Sequence, residues 1–129
     1  MDLSSLRAVI NCSEPVRWES HQAFYDRFKD FGLQLEALQT SYAMAENVFS
    51  VTQSPLGNVP IVDEIDREAF MVEHVAKSPF DGRPSMKMMS SGRPLENVKI
   101  RVVDPVGNDV SERNIGEILL KSNCMLNGY

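Results

Sequence analysis

Between Leu6 and Ser41, element-building and element-ending residues follow in an order that leaves few folds open. Leu6-Arg7-Ala8-Val9-Ile10 is a short apolar run closing on Asn11-Cys12-Ser13, as a buried parallel strand entering a loop would. Pro15 is placed for a first helical position, with Ser13 or Glu14 as the cap. Phe24, Phe28 and Phe31 then recur at spacings of four and three, while Arg27, Lys29 and Asp30 lie off that stripe. The stripe reads as core, and Gly32 reads as a left-handed helix stop. A strand and helix of this kind make half of a βαβ unit. Leu38–Ser41 is the next strand, and it delivers Tyr42 to the carboxyl edge of the sheet, where open α/β sheets place their ligands. The class is α/β.

The remainder changes character. Val48-Phe49-Ser50-Val51 reads as another strand, and Ser54-Pro55-Leu56-Gly57-Asn58 as a turn. Between Asp63 and Lys77, Ile65, Phe70, Val72 and Val75 line either a short helix or a strand–turn–helix. Ser78 to Ser91, with Pro79, Gly82 and Pro84, reads as a surface loop. Val98–Val103 alternates as a half-exposed antiparallel strand, Asp104–Asn108 is a turn, and Gly116–Lys121 is a second strand.

Composition narrows the function classes. A chain of 129 residues fits one domain with a core of its own. A net charge of −5 argues against a general nucleic-acid or anionic-membrane surface. No apolar run approaches the ~20 residues of a membrane span, and the N-terminus carries no signal-like core. Cys12 and Cys124 read as reduced, partly buried thiols, with a single disulfide as the alternative; a cytoplasmic location follows. His21 and His74 have no partner at metal-ligand spacing and read as surface or core-edge residues.

Tyr42-Ala43-Met44-Ala45-Glu46 is set between Asn11-Cys12-Ser13-Glu14-Pro15 upstream and Gly116-Glu117-Ile118 with Met125 and Gly128-Tyr129 downstream. In this order the three pieces resemble the adenylate-forming superfamily of acyl-CoA synthetases, fatty acyl-AMP ligases and peptide-synthetase adenylation domains. Ser91-Gly92-Arg93-Pro94-Leu95 is similar to the turn that introduces the family's small β-barrel. The likeness covers essentially the whole chain, most strongly at both ends. It implies a fragment of the adenylation-domain fold, a parallel-sheet βαβ piece followed by part of a small antiparallel β-barrel. The segments expected are 1–57 in the nucleotide-binding subdomain, 58–91 as a connecting or insertion segment, and 92–129 in the barrel. The family's phosphate-binding loop would lie upstream of this sequence. Its ribose-binding aspartate, hinge and C-terminal domain with the catalytic lysine would lie beyond Tyr129, so an internal piece of a larger enzyme is expected.

Forty-five residues separate Glu46 from Gly92. That stretch resembles the insertion of fatty acyl-AMP ligases, which pass their acyl-adenylate to a carrier protein instead of coenzyme A, and Ala45 at the usual Thr position agrees. Ala43 departs from the family's usual Gly, which puts close backbone approach at that turn in question.

The chemistry implied is attack of a fatty-acid carboxylate on the α-phosphorus of ATP, yielding acyl-AMP and pyrophosphate. Positioning and charge stabilisation carry such a step, and one well-aimed donor is worth roughly 2.7–4 kcal/mol. Glu46 is the catalytic carboxylate expected to hold magnesium, a hard ion that prefers oxygen ligands; otherwise it is a solvated surface Glu. Tyr42 is the expected aromatic face against adenine, or else a core tyrosine whose hydroxyl has a partner. Asn11, Cys12, Ser13 and Glu14 would follow the adenine edge, a role compatible with a helix-entry loop. Ala43, Met44 and Ala45 would border the α-phosphate and the acyl carboxylate, or pack simply as core.

Three accounts compete. The chain is part of an acyl-activating ligase, its acceptor being an acyl carrier protein or coenzyme A. Alternatively it is a non-catalytic module that binds nucleotide or a partner, or an unrelated small α/β protein. In the first account the piece alone has no turnover, and its severed sheet edge favours self-association.

Overall fold

The computed structural model describes residues 1–129. β1 (Val9–Asn11), α1 (Trp18–Phe28) and β2 (Leu38–Ala43) form a strand–helix–strand unit, with β1 and β2 parallel, Val9 opposite Leu38 and Asn11 opposite Thr40. β2 pairs antiparallel with β3 (Ser50–Gln53), and β3 with the two-residue β6 (Arg93–Pro94). The result is one mixed sheet in the order β1-β2-β3-β6. β4 (Val62–Asp66) pairs with β5 (Ser85–Met89), and β7 (Lys99–Val103) with β8 (Glu117–Lys121), as separate antiparallel ribbons. The last third is thus an antiparallel pair and not a closed barrel. No helix is long and apolar enough to cross a membrane.

Several local expectations shift, each for a physical reason. The helix starts at Trp18, behind an extended Arg17 that offers no side-chain cap. Ser13 cannot serve as cap because its φ is 76, whereas a cap residue needs extended backbone. The far end is as expected: after one 3-10 turn, Gly32 sits at φ 88 and its N–H bonds Lys29 O at 3.0 Å. Ser78–Ser91 is not wholly loop, since it contains β5. Methionine and lysine carry a weak strand signal, and β5 is specified by its distant partner β4 and by Lys87, whose ammonium lies 5.4 Å from the Trp18 ring centroid. Asp63–Lys77 resolves into β4 and a five-residue π turn at Ala69–Glu73, capped by the buried Asp66 carboxylate accepting from Ala69 N at 2.8 Å.

The core is smaller than a self-sufficient domain of this length requires. Leu33, Ala37 and Leu38 form its centre, with Leu3, Val9, Tyr25, Phe28 and Leu35 packed against them. Of the phenylalanine stripe only Phe28 joins this cluster; Phe24 and Phe31 touch its ring but remain 41% and 39% exposed. Eight buried residues are polar against seven aliphatic ones and Pro60, so hydrocarbon alone does not set the packing. The surface of 9257 Å² is about a third more than a closed monomer of 14.5 kDa exposes. Cys12 and Cys124 are free thiols, the second fully at the surface.

Hydroxyls fasten the middle of the sheet instead. The Ser41 hydroxyl donates to Thr52 O at 2.7 Å, Ser54 to Gln39 Oε1 at 2.6 Å, and Thr40 to Ser90 O at 2.6 Å. The Thr52 hydroxyl donates to Ser91 O, and the Gln53 amide to Thr40 O at 3.1 Å. Every buried side-chain polar atom has a partner. Gly92 closes this seam: at φ 89 it lies so near Gln53 that a Cβ would stand 2.0 Å from the Gln53 carbonyl carbon. The excess apolar surface predicts that the isolated 129-residue chain self-associates. Size-exclusion chromatography should show oligomers growing with concentration, and a clean monomer at high concentration would contradict this.

Candidate functional site

Because β1 and β2 run parallel, both end at the same edge of the sheet. The Asn11–Glu14 loop leaves β1 there. β2 continues three residues past its last pairing with β1, through Ser41, Tyr42 and Ala43, and so projects beside that loop. The β2–β3 register slips between Tyr42 and Ala43, a bulge of the kind that re-aims side chains at a sheet rim. Ala43 has no positive φ, so a Cβ is accommodated where a glycine was expected.

Two cavities open at this edge, each of about 330 Å³. One is lined by Ser13, Glu14, Pro15, Tyr42 and Ala43 with Val16, Ser41 and Ser91. The other is lined by Ser13, Ala43, Met44 and Ala45 with Val48 and Phe49. Ser13 and Ala43 belong to both, so the cavities adjoin. Six of the nine residues predicted from sequence are therefore brought together. The half-buried Tyr42 hydroxyl meets only the Met44 thioether, at 3.9 Å, a weak acceptor that leaves the ring free of a strong tether.

The other three lie apart. Asn11 pairs through its backbone with β2 and lines a different cavity, beside His21 and Phe24. Cys12 lines neither edge cavity, and its sulfur accepts the Ser13 hydroxyl at 3.6 Å. Glu46 follows Ala45 in a 3-10 turn, Ala45–Asn47, and lines neither cavity. Its Oε1 accepts the Tyr129 phenol, and its carbonyl accepts Leu126 N at 2.7 Å. The phenol's hydrogen bond holds the Glu46 carboxyl below the usual range, and the same bond raises the Tyr129 hydroxyl above its own. Glu46 is consequently an anion across the neutral range, with no cation paired to it. No group of three metal-ligating side chains exists, so any hard cation here would rely on Glu46 alone, with its remaining oxygens from water or phosphate.

The turn holding Glu46 is built firmly. Met44 N bonds Phe49 O at 2.8 Å, and Phe49 N bonds Asn47 O at 2.7 Å across Val48. Val48 sits at φ 66 and ψ −53, a γ-turn that a β-branched residue adopts only under constraint. The expected strand at Val48–Val51 accordingly begins at Ser50. Asn47, buried, donates to Ser50 O at 2.9 Å and accepts the Ser122 hydroxyl. Val48, Phe49 and Ser91 line the edge cavities without having been singled out in the sequence. The first two read in the sequence as strand; Ser91 belongs to the turn likened to the barrel entry, and nothing local links it to Ser41, 50 residues away.

This arrangement superposes on a piece of a solved fatty acyl-adenylate ligase with a TM-score of 0.95 over all of this chain, which shows an adenylation-domain fold. The AMP-binding enzyme family model matches residues 1–129, and the chain belongs to that family. It is similar to the long-chain-fatty-acid–AMP ligase FadD32 of Mycobacterium marinum, at 29% identity over all of this chain and 21% of that protein. It is also similar to the medium-chain-fatty-acid–[acyl-carrier-protein] ligase JamA of Moorena producens, at 30% identity over all of this chain and 22% of that one. Among solved structures, a fatty acyl-adenylate ligase of Legionella pneumophila in complex with acyl adenylate and pyrophosphate superposes with a TM-score of 0.91, at 33% identity over all of this chain and 22% of that one. The chain spans about a fifth of the length of the curated relatives it matches.

Replacing the buried Asn47 removes both anchors of the Glu46 turn, so Asn47→Ala should cost about 1–3 kcal/mol in unfolding free energy. It should also speed hydrogen exchange at the Leu126 amide. Exchange unchanged at Leu126 would contradict the anchoring.

Proposed function

We propose that these residues are the nucleotide-facing section of an ATP-dependent ligase that converts a fatty acid to acyl-AMP and pyrophosphate for transfer to an acyl carrier protein. The observation that carries the reading is the adjacency of the Ser13–Glu14 loop and Tyr42–Ala45 across one sheet edge. Family membership and the carrier-protein ligase JamA at 30% identity support it. Under this reading residues 1–57 complete the nucleotide subdomain, 58–91 form an insertion and 92–129 belong to the small barrel. The free thiols are in keeping with a cytoplasmic enzyme.

In this mechanism the fatty-acid carboxylate oxygen attacks the α-phosphorus of ATP, a P–O bond forms to it, and the bond to the β-phosphate oxygen breaks with pyrophosphate taking the electron pair. Tyr42 offers its ring to the adenine, a contact worth about 1–3 kcal/mol for base–aromatic pairs. The Ser13–Glu14 stretch presents backbone groups along the base edge. Ala43 and Ala45 leave room beside the reacting atoms, and Met44 packs at the rim. Glu46, ionised and unpaired with any cation, would hold magnesium, which supplies charge neutralisation to the phosphates when bound.

The test uses the full-length protein that carries these residues, assayed for pyrophosphate release with ATP, magnesium and a long-chain fatty acid. Glu46→Gln should lower kcat/KM about 100-fold or more. Tyr42→Ala should raise the KM for ATP about fivefold to 100-fold. Acyl transfer to a carrier protein should exceed transfer to coenzyme A. Absence of pyrophosphate release with any carboxylic acid would overturn the ligase reading, whereas efficient acyl-CoA formation would overturn only the acceptor.

A further inference from the structure

The segment that leaves β8 is tied to the Glu46 turn at three points. The Ser122 hydroxyl bonds Asn47 Oδ1, the Leu126 amide donates to Glu46 O at 2.7 Å, and the Tyr129 phenol donates to Glu46 Oε1. These contacts join residues far apart in sequence and converge on two adjacent positions. The Leu126 amide holds the backbone of the turn, and Ser122 holds the Asn47 side chain. The third alone touches the carboxylate, and no other side chain bonds it.

From this division of labour we infer that Tyr129 is a positioning residue for Glu46, holding one carboxylate oxygen and leaving the other unbonded for a magnesium-bearing nucleotide. The inference rests on the ligase reading above. A glutamate on a solvent-facing turn has three side-chain torsions to order when it binds a cation, and ordering such a side chain opposes binding. A phenol already bonded to Oε1 removes part of that cost beforehand; Tyr129 is itself fully exposed, so the Leu126 and Ser122 contacts are what keep its segment beside the carboxylate. Unlike a lysine or arginine side chain, a phenol brings no positive charge to the carboxylate. It can therefore orient the carboxylate without competing for the metal as a lysine or arginine would. The contact also gives the β8 segment a chemical link to the sheet edge, so the two halves of the chain meet at the proposed metal ligand.

Tyr129→Phe in the full-length protein removes the phenol and keeps the ring. The direct readout is manganese binding, followed by electron paramagnetic resonance in the presence of a non-hydrolysable ATP analogue. The dissociation constant should rise about threefold to tenfold. In steady state the magnesium concentration for half-maximal pyrophosphate release should rise similarly, with the KM for ATP unchanged at saturating magnesium. Leu126 amide exchange should stay as in the wild type, showing that the strap is still docked. In a Glu46→Gln background, Tyr129→Phe should add no further loss. Manganese binding unaltered by Tyr129→Phe, or additive effects in the double variant, would overturn the proposal while the wild type still releases pyrophosphate. A wild type that releases none overturns the ligase reading and this inference with it.

Discussion

The seam of hydroxyl and amide hydrogen bonds through β2, β3 and the Ser90–Gly92 crossing is the constraint on which the rest of this structure depends. With only seven buried aliphatic residues and Pro60, burial of hydrocarbon cannot by itself choose one register for the sheet. Directional bonds from Thr40, Ser41, Thr52 and Ser54 can, because a one-residue slip would leave several buried polar groups without partners. Gly92 makes the crossing possible at all, since any side chain there would collide with the Gln53 backbone. That fixed register sets where β2 ends, and the end of β2 is where Tyr42 and Ala43 emerge.

Function follows from that geometry in two steps. Parallel pairing brings the β1 loop and the β2 end to one rim, and the bulge at Tyr42/Ala43 turns the chain across it. The γ-turn at Val48 and the Asn47 anchors then hold Glu46 one residue beyond the cavity wall, with its carboxylate bonded to Tyr129. Strain of this kind persists only where the surroundings over-determine it. Here the closing bonds between Met44 and Phe49 do so.

What was legible in the sequence divides along the range of the interactions. The strand–helix–strand unit, the Gly32 stop and the β7–β8 alternation were readable because each is set by residues within a few positions of one another. Tyr42 to Ala45 and Ser13–Glu14 were found through their likeness to a family, and parallel pairing places them together. The helix start was misread because Ser13, a good cap by type, is committed to a left-handed turn. β5 was missed because its partner lies some 20 residues away and its methionines have no strand period. The burial of Gln39, Thr40 and Ser41 was invisible because it depends on acceptors contributed by residues 52–54 and 90–91. The phenylalanine stripe has the right period for a helix face, yet this chain supplies too little apolar surface to cover all of it.

The central claim is that Tyr42 and the Ser13–Glu14 stretch face one nucleotide base across the shared rim. Photolabelling the full-length protein with 8-azido-ATP, followed by peptide mapping, tests it most directly. The account predicts label in peptides containing residues 11–16 or 42–45, suppressed by excess ATP. Label that ATP suppresses in other peptides, with both of these left unmodified, would contradict it.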